Sequence, residues 1–167
     1  RAENSTSPEE LEKLAEDKDE DVRYGVAGNN NTPVSLLEKL SEDKHEAVRG
    51  EVAKNVNTPV SLLINLARDE NVDVRYGVAD NDKTPASALE MLSEDPIVRE
   101  MVACNPNTPV PLLEELAKDK ERLVRQYVAS NTNTPAFVLE KLAGDENEWV
   151  RNWIASNPNT PVPLLVK

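Results

Sequence analysis

The chain has 167 residues, 38% of them hydrophobic but only 4% aromatic, with five Gly, one Cys and one His. That is thin for a compact globule of this length, and no run approaches the ~18 apolar residues of a membrane span. A net charge of −12 repels phosphate backbones and anionic lipid, which argues against nucleic-acid and membrane-surface binding.

The organisation is repetitive. Pro8, Pro33, Pro59, Pro85, Pro109, Pro135 and Pro161 are separated by 25, 26, 26, 24, 26 and 26 residues. Six copies of one unit therefore fill the chain (approximately 7–32, 33–58, 59–84, 85–108, 109–134 and 135–160), and 161–167 opens a seventh. Such units bury their apolar faces only against neighbours, which implies a solenoid. A single repeat domain over 1–167 is expected. Because the chain opens and closes partway through a repeat, a piece of a longer repeat protein is expected too.

Each unit predicts two short helices. The first opens at Ser7-Pro8, then at Thr32-Pro33, Thr58-Pro59, Thr84-Pro85, Thr108-Pro109, Thr134-Pro135 and Thr160-Pro161. Thr is a favourable N-cap and Pro suits the first helical position. Leu36, Leu37 and Leu40 then mark an apolar stripe at helical spacing. The second segment carries Val22-Arg23, Val48-Arg49, Val74-Arg75, Val98-Arg99, Val124-Arg125 and Val150-Arg151, with Val and Ala one turn on, as in Val52-Ala53. Asn29, Asn55, Asn81, Asn105, Asn131 and Asn157 end these segments, where Asn tolerates left-handed dihedrals. Whether the second segment is α or 3₁₀ is open at so few residues. Strands are a poor alternative, since no period-two alternation persists and Pro would break a ladder.

The unit resembles the leucine-rich repeat variant family, whose pattern runs N-x-N-T-P-x-x-L-L-x-x-L-A-x-D, then V-R-x-x-V-A. Asn105-Pro106-Asn107-Thr108-Pro109, Leu112-Leu113, Leu116-Ala117, Asp119, Val124-Arg125 and Val128-Ala129 match it, and the match recurs along the whole chain. The resemblance implies an all-α, right-handed superhelical solenoid of about six two-helix repeats, in a family whose functions are mostly unassigned. Most units here are two residues longer than the family's usual unit, room for a regular second α-helix. Some members carry an iron–sulfur cofactor on a separate Cys cluster; with only Cys104, this chain does not inherit it.

The repeated polar residues read as scaffold. An Asp precedes each Arg (Asp17, Asp43, Asp69, Asp95, Asp119 and Asp145), predicting an Asp–Arg pair that closes the inter-helix turn of each unit. The Asn ladder is assigned to backbone groups of the tight inter-repeat loop. His45 has no partner at metal spacing and reads as a solvated surface residue. Cys104 has no activating neighbour in sequence. No catalytic, cofactor or metal-binding residue is assigned, and the chain is read as a non-enzyme.

The non-repeating positions are more telling. Around the second helix, the positions equivalent to 21, 24, 25 and 28 face away from Val22, Arg23, Val26 and Ala27. The first three sets are polar or small apart from Tyr24 and Tyr76. The last three add Ile97, Met101, Leu123, Tyr127, Trp149 and Trp153. Tyr24, Tyr76, Met101, Tyr127 and Trp153 are expected on the open side. Ile97, Leu123 and Trp149 fit equally well there or packed between helices. The partner-binding candidates are Tyr24, Tyr76, Met101, Tyr127, Trp149 and Trp153. The expected function is a protein–protein interaction scaffold for a basic or amphipathic protein or peptide, cytoplasmic by default. The alternatives are a spacer or self-associating segment of a larger protein, and a HEAT-like nucleic-acid repair enzyme. The last needs a basic groove.

Overall fold

A computed structural model describes residues 7–165, with the side chain of Leu165 outside that description. Among the described residues there are thirteen α-helices and no strand. The first helices of the repeats are α1 (Pro8–Leu14), α3 (Val34–Leu40), α5 (Val60–Leu66), α7 (Ala86–Leu92), α9 (Val110–Leu116), α11 (Ala136–Leu142) and α13 (Val162–Leu165). The second helices are α2 (Glu20–Ala27), α4 (Glu46–Lys54), α6 (Val72–Asp80), α8 (Arg99–Cys104), α10 (Arg122–Ser130) and α12 (Glu148–Ser156). The chain falls into two compact units, Arg1–Ala88 and Leu89–Lys167. In the first, α2 packs on α4 and α4 on α6; in the second, α8 packs on α10 and α10 on α12.

The second segments are α-helical throughout. The two extra residues of most repeats lengthen them: α8, in the shortened repeat, has six residues, whereas α4, α6, α10 and α12 have nine. The core is a Leu/Val/Ala seam. Leu37, Leu63, Leu89, Leu113 and Leu139 are fully buried, as are Val52-Ala53, Val78-Ala79, Val102-Ala103 and Val128-Ala129 of the second helices.

The helix starts differ from the sequence expectation. Pro33, Pro59, Pro109 and Pro135 are N-cap residues in extended conformation, not first helical residues. Only α1 begins on its Pro, with Ser7 as N-cap, so Ser7 rather than Pro8 is in step with the later prolines. This accounts for the one 25-residue interval. The threonines do not cap the helices they precede. Thr32 Oγ1 donates to the Val26 carbonyl (2.6 Å) and Thr58 Oγ1 to Val52 (2.5 Å), closing the end of the second helix behind them.

The inter-repeat loop rests on Asn. Asn55 takes φ −63° and ψ 128°, an extended conformation in place of the expected left-handed one, and no described non-Gly residue has positive φ. Its buried Nδ2 donates to the carbonyls of Ala27 (2.6 Å) and Asn29 (3.1 Å) in the preceding repeat, and its Oδ1 accepts from Asn57 N (2.8 Å). Asn81 and Asn131 repeat the arrangement. Backbone groups that a tight loop would bury unpaired are thereby satisfied.

The Asp–Arg expectation also needs correction. Arg23 reaches forward to Asp43 of the next repeat, Nε to Oδ2 at 2.6 Å and Nη2 to Oδ1 at 2.9 Å. Its Nη1 donates instead to the backbone carbonyl of Asp17, six residues back (2.9 Å). Arg49–Asp69, Arg99–Asp119 and Arg125–Asp145 follow the same twenty-residue step. Each such Asp thus accepts one Arg on its carboxylate, while the carbonyls of Asp43 and Asp119 accept the Arg of their own repeat. The ladder thus ties repeats together through the carboxylates and holds the turn of each Arg's own repeat through backbone carbonyls alone.

Burial pushes the carboxyls of Asp43 and Asp69 up, but the guanidinium of Arg23 or Arg49 and a backbone N–H outweigh it, and both lie below the ordinary Asp value. At Asp145 the Arg125 hydrogen bond is the largest influence and the direction is the same. A depressed folded-state pKa adds stability that is complete above the unfolded value, about 3.9, and lost as pH falls through the folded value. Denaturation midpoints should therefore hold from neutral pH to about pH 5 and fall steeply below pH 4. Asp145→Asn should start lower and show a shallower acid limb; an unchanged limb would remove Asp145 from the linkage.

Candidate partner-binding face

In the C-terminal unit, side-by-side packing of α8, α10 and α12 puts equivalent positions of successive repeats next to one another. Two apolar rows result. Ile97, Leu123 and Trp149 are 63%, 40% and 55% exposed, so none of the three is packed between helices. Trp153 is 41% exposed, while Met101 and Tyr127, at the same place in the two preceding repeats and expected on the open side, are half-buried. Asn147 Oδ1 accepts from the Trp149 backbone N–H (3.0 Å) and caps α12, which fixes where the Trp149 side chain leaves the helix. A depression of about 370 Å³ lined by Glu148, Trp149 and Asn152 lies beside it.

The same positions in the N-terminal unit carry no apolar row. Asp21, Ala47 and Asp73 replace Ile97, Leu123 and Trp149. There the aromatic residues are one position round the helix: Tyr24 is exposed and Tyr76 half-buried, contrary to its expected exposure. Both line a groove of about 450 Å³ with Glu46, Ala47, Gly50, Glu51, Lys54 and Asp73. The residues between the tyrosines were legible only as variable positions. Tyr24, Gly50 and Tyr76 share one place in three successive repeats, and that alignment is the signal from which the groove could have been anticipated.

His45 is not simply solvated. It is half-buried, and its Nδ1 accepts from Ala47 N (3.3 Å) at the start of α4. Cys104 is exposed at the end of α8. Among the described residues no three His, Cys, Asp or Glu side chains converge as metal ligands, and no helix is long and apolar enough to cross a membrane.

No protein-family model and no curated protein matches the chain. Among solved structures it is similar to one described as a leucine-rich repeat variant with a novel repetitive structural motif, with a TM-score of 0.68 and 30% sequence identity. The similarity covers 95% of this chain and 64% of that one, so the chain spans a little under two thirds of its relative.

Proposed function

We propose that this chain, whose repeats are similar in sequence and fold to those of a leucine-rich repeat variant, is a non-catalytic scaffold that holds a protein or peptide on the face of its second helices. The observation that carries this reading is the exposed row Ile97, Leu123 and Trp149, flanked by Trp153. A solvent-facing apolar strip with two Trp residues has the composition of an interface hot spot. The repeat scaffold does not require it, since the N-terminal unit is built the same way with Asp21, Ala47 and Asp73 at the equivalent places. A net charge of −12 favours an amphipathic partner whose apolar side meets this strip and whose basic rim meets the acidic surround.

Trp149 and Trp153 are the two tryptophans of the chain, so intrinsic fluorescence reports on this strip directly. Protein captured from an extract of the parent organism should shift the emission to the blue as it covers them. Trp149→Ala/Trp153→Ala should weaken its binding by about 30-fold or more, with helical content and cooperative melting retained. Undiminished binding, or collapse of the fold, overturns the reading. Sedimentation over a wide concentration range separates it from self-association, which would cover the same strip with a second copy.

A further inference from the structure

Gly50 lies in the interior of α4, where glycine is unfavourable, and the packing around it does not call for one. A Cβ built at Gly50 meets nothing nearer than the Asp73 carbonyl at 3.9 Å and Val74 at 4.0 Å, ordinary contact distances. At Gly77, by contrast, a Cβ would lie 3.0 Å from the Gly50 carbonyl and 3.2 Å from the Ala53 Cβ, so close approach of α4 and α6 explains that glycine. Gly50, itself buried, contributes no side chain at the place that Tyr24 and Tyr76 occupy in the repeats before and after it. The result is the groove of about 450 Å³, walled by two tyrosines and edged by Glu46, Glu51 and Asp73 against the single cation Lys54.

We propose that this groove takes an arginine side chain of a basic peptide. A guanidinium is planar and weakly hydrated; it stacks on aromatic faces and pairs in fork geometry with carboxylates. With no side chain at position 50 between them, the two tyrosines line one groove, and the three carboxylates supply the opposing charge. The inference rests on the second-helix face being the binding face, but it uses residues of the N-terminal unit alone. Its success or failure is therefore separable from that of the Trp149/Trp153 strip.

The test is a titration of the full chain with acetyl-Arg₃-amide, followed by NMR at the Gly50 amide and the Tyr24 and Tyr76 rings. Tri-lysine and tri-citrulline peptides serve as the equal-charge and neutral comparisons. Tri-arginine should give saturable shifts at all three residues. Tri-lysine should bind several-fold more weakly, and tri-citrulline should produce no shift. Gly50→Leu, which adds a side chain at that position, should abolish the shifts, and Tyr24→Leu/Tyr76→Leu should weaken binding by about tenfold. Gly50→Ala should melt no lower than the parent, whereas Gly77→Ala should melt lower. Trp149→Ala/Trp153→Ala should leave arginine binding unchanged. Equal binding of tri-lysine and tri-arginine, or persistence of the shifts in folded Gly50→Leu, overturns the proposal, since either would mean diffuse attraction to an acidic protein.

Discussion

Arg125→Ala should lower the unfolding free energy by about 3 kcal/mol, among the largest single-residue losses in the chain. The guanidinium and its partner are almost wholly enclosed: side-chain exposure is 10% for Arg125 and 6% for Asp145. Nε donates to Asp145 Oδ2 at 2.6 Å and Nη2 to Oδ1 at 3.1 Å. Nη1 donates to the carbonyls of Asp119 (2.8 Å) and Lys120 (3.1 Å). Truncation leaves an enclosed carboxylate and two carbonyls without their donors, and the penalty for unpaired buried polar groups exceeds the net worth of the pair. Arg151 is the internal comparison. It is exposed and donates to the carbonyls of Asp145 and Glu146, so Arg151→Ala should cost under about 1 kcal/mol. Replacing both partners, Arg125→Met with Asp145→Leu, should recover only part of the loss. The carbonyls of Asp119 and Lys120 still lack a donor, and Asn147 N loses the Asp145 Oδ1 that accepts from it at 2.9 Å. Urea denaturation of the four proteins decides the matter; equal losses for Arg125→Ala and Arg151→Ala would remove the ladder from the account of stability.

Asn55→Ala should cost about 3 kcal/mol, close to the loss from a Leu seam position, although it deletes only a carboxamide. Two backbone groups, the Ala27 carbonyl and the Asn57 N–H, lose the partner Asn55 gives them, and the Asn29 carbonyl keeps only the Thr32 N–H (3.0 Å). All lie in or beside the loop joining two repeats, where Asn55 is 4% exposed. Asn55→Asp sharpens the prediction. It is isosteric, yet it points a carboxylate oxygen at two carbonyl oxygens, so at neutral pH it should be at least as damaging as Ala. It should regain stability as the pH falls and the carboxyl acquires a proton to donate. Identical and pH-independent losses for the two variants would mean that Asn55 acts through shape alone.

Much of the repeat was legible from residue types. The Leu-Leu-x-x-Leu stripe and the Val/Ala turn specify two helices because only helical spacing gathers those residues on one side. The scaffolding role of Asn was legible as well, since a recurrent polar residue in a tight loop has backbone groups to satisfy. Its partners were not. Sequence adjacency suggested that Arg23 meets Asp17, whereas the side chain bridges to Asp43 and takes only the Asp17 carbonyl. Thr32 likewise reads as a cap for the helix ahead and instead bonds to the helix behind.

The binding face was half legible. Non-repeating residues could be counted off along the chain, and Trp149 and Trp153 stand out in any such count. Exposure could not be read the same way, because a position one step round a short helix is buried or open according to how closely the neighbouring helix approaches. Tyr76, Met101 and Tyr127 are half-buried for that reason, while Ile97 is more exposed than either Trp.

By itself, then, the sequence determined the two-helix repeat, its period and the residues of its seam, because helical periodicity and apolar spacing are local properties carried by each copy. Only the tertiary structure decided which repeat each Arg and Asn bonds to, and that Gly50 lines a groove while Gly77 fills a contact. Those outcomes depend on the distance between helices that are 26 residues apart along the chain and adjacent in space.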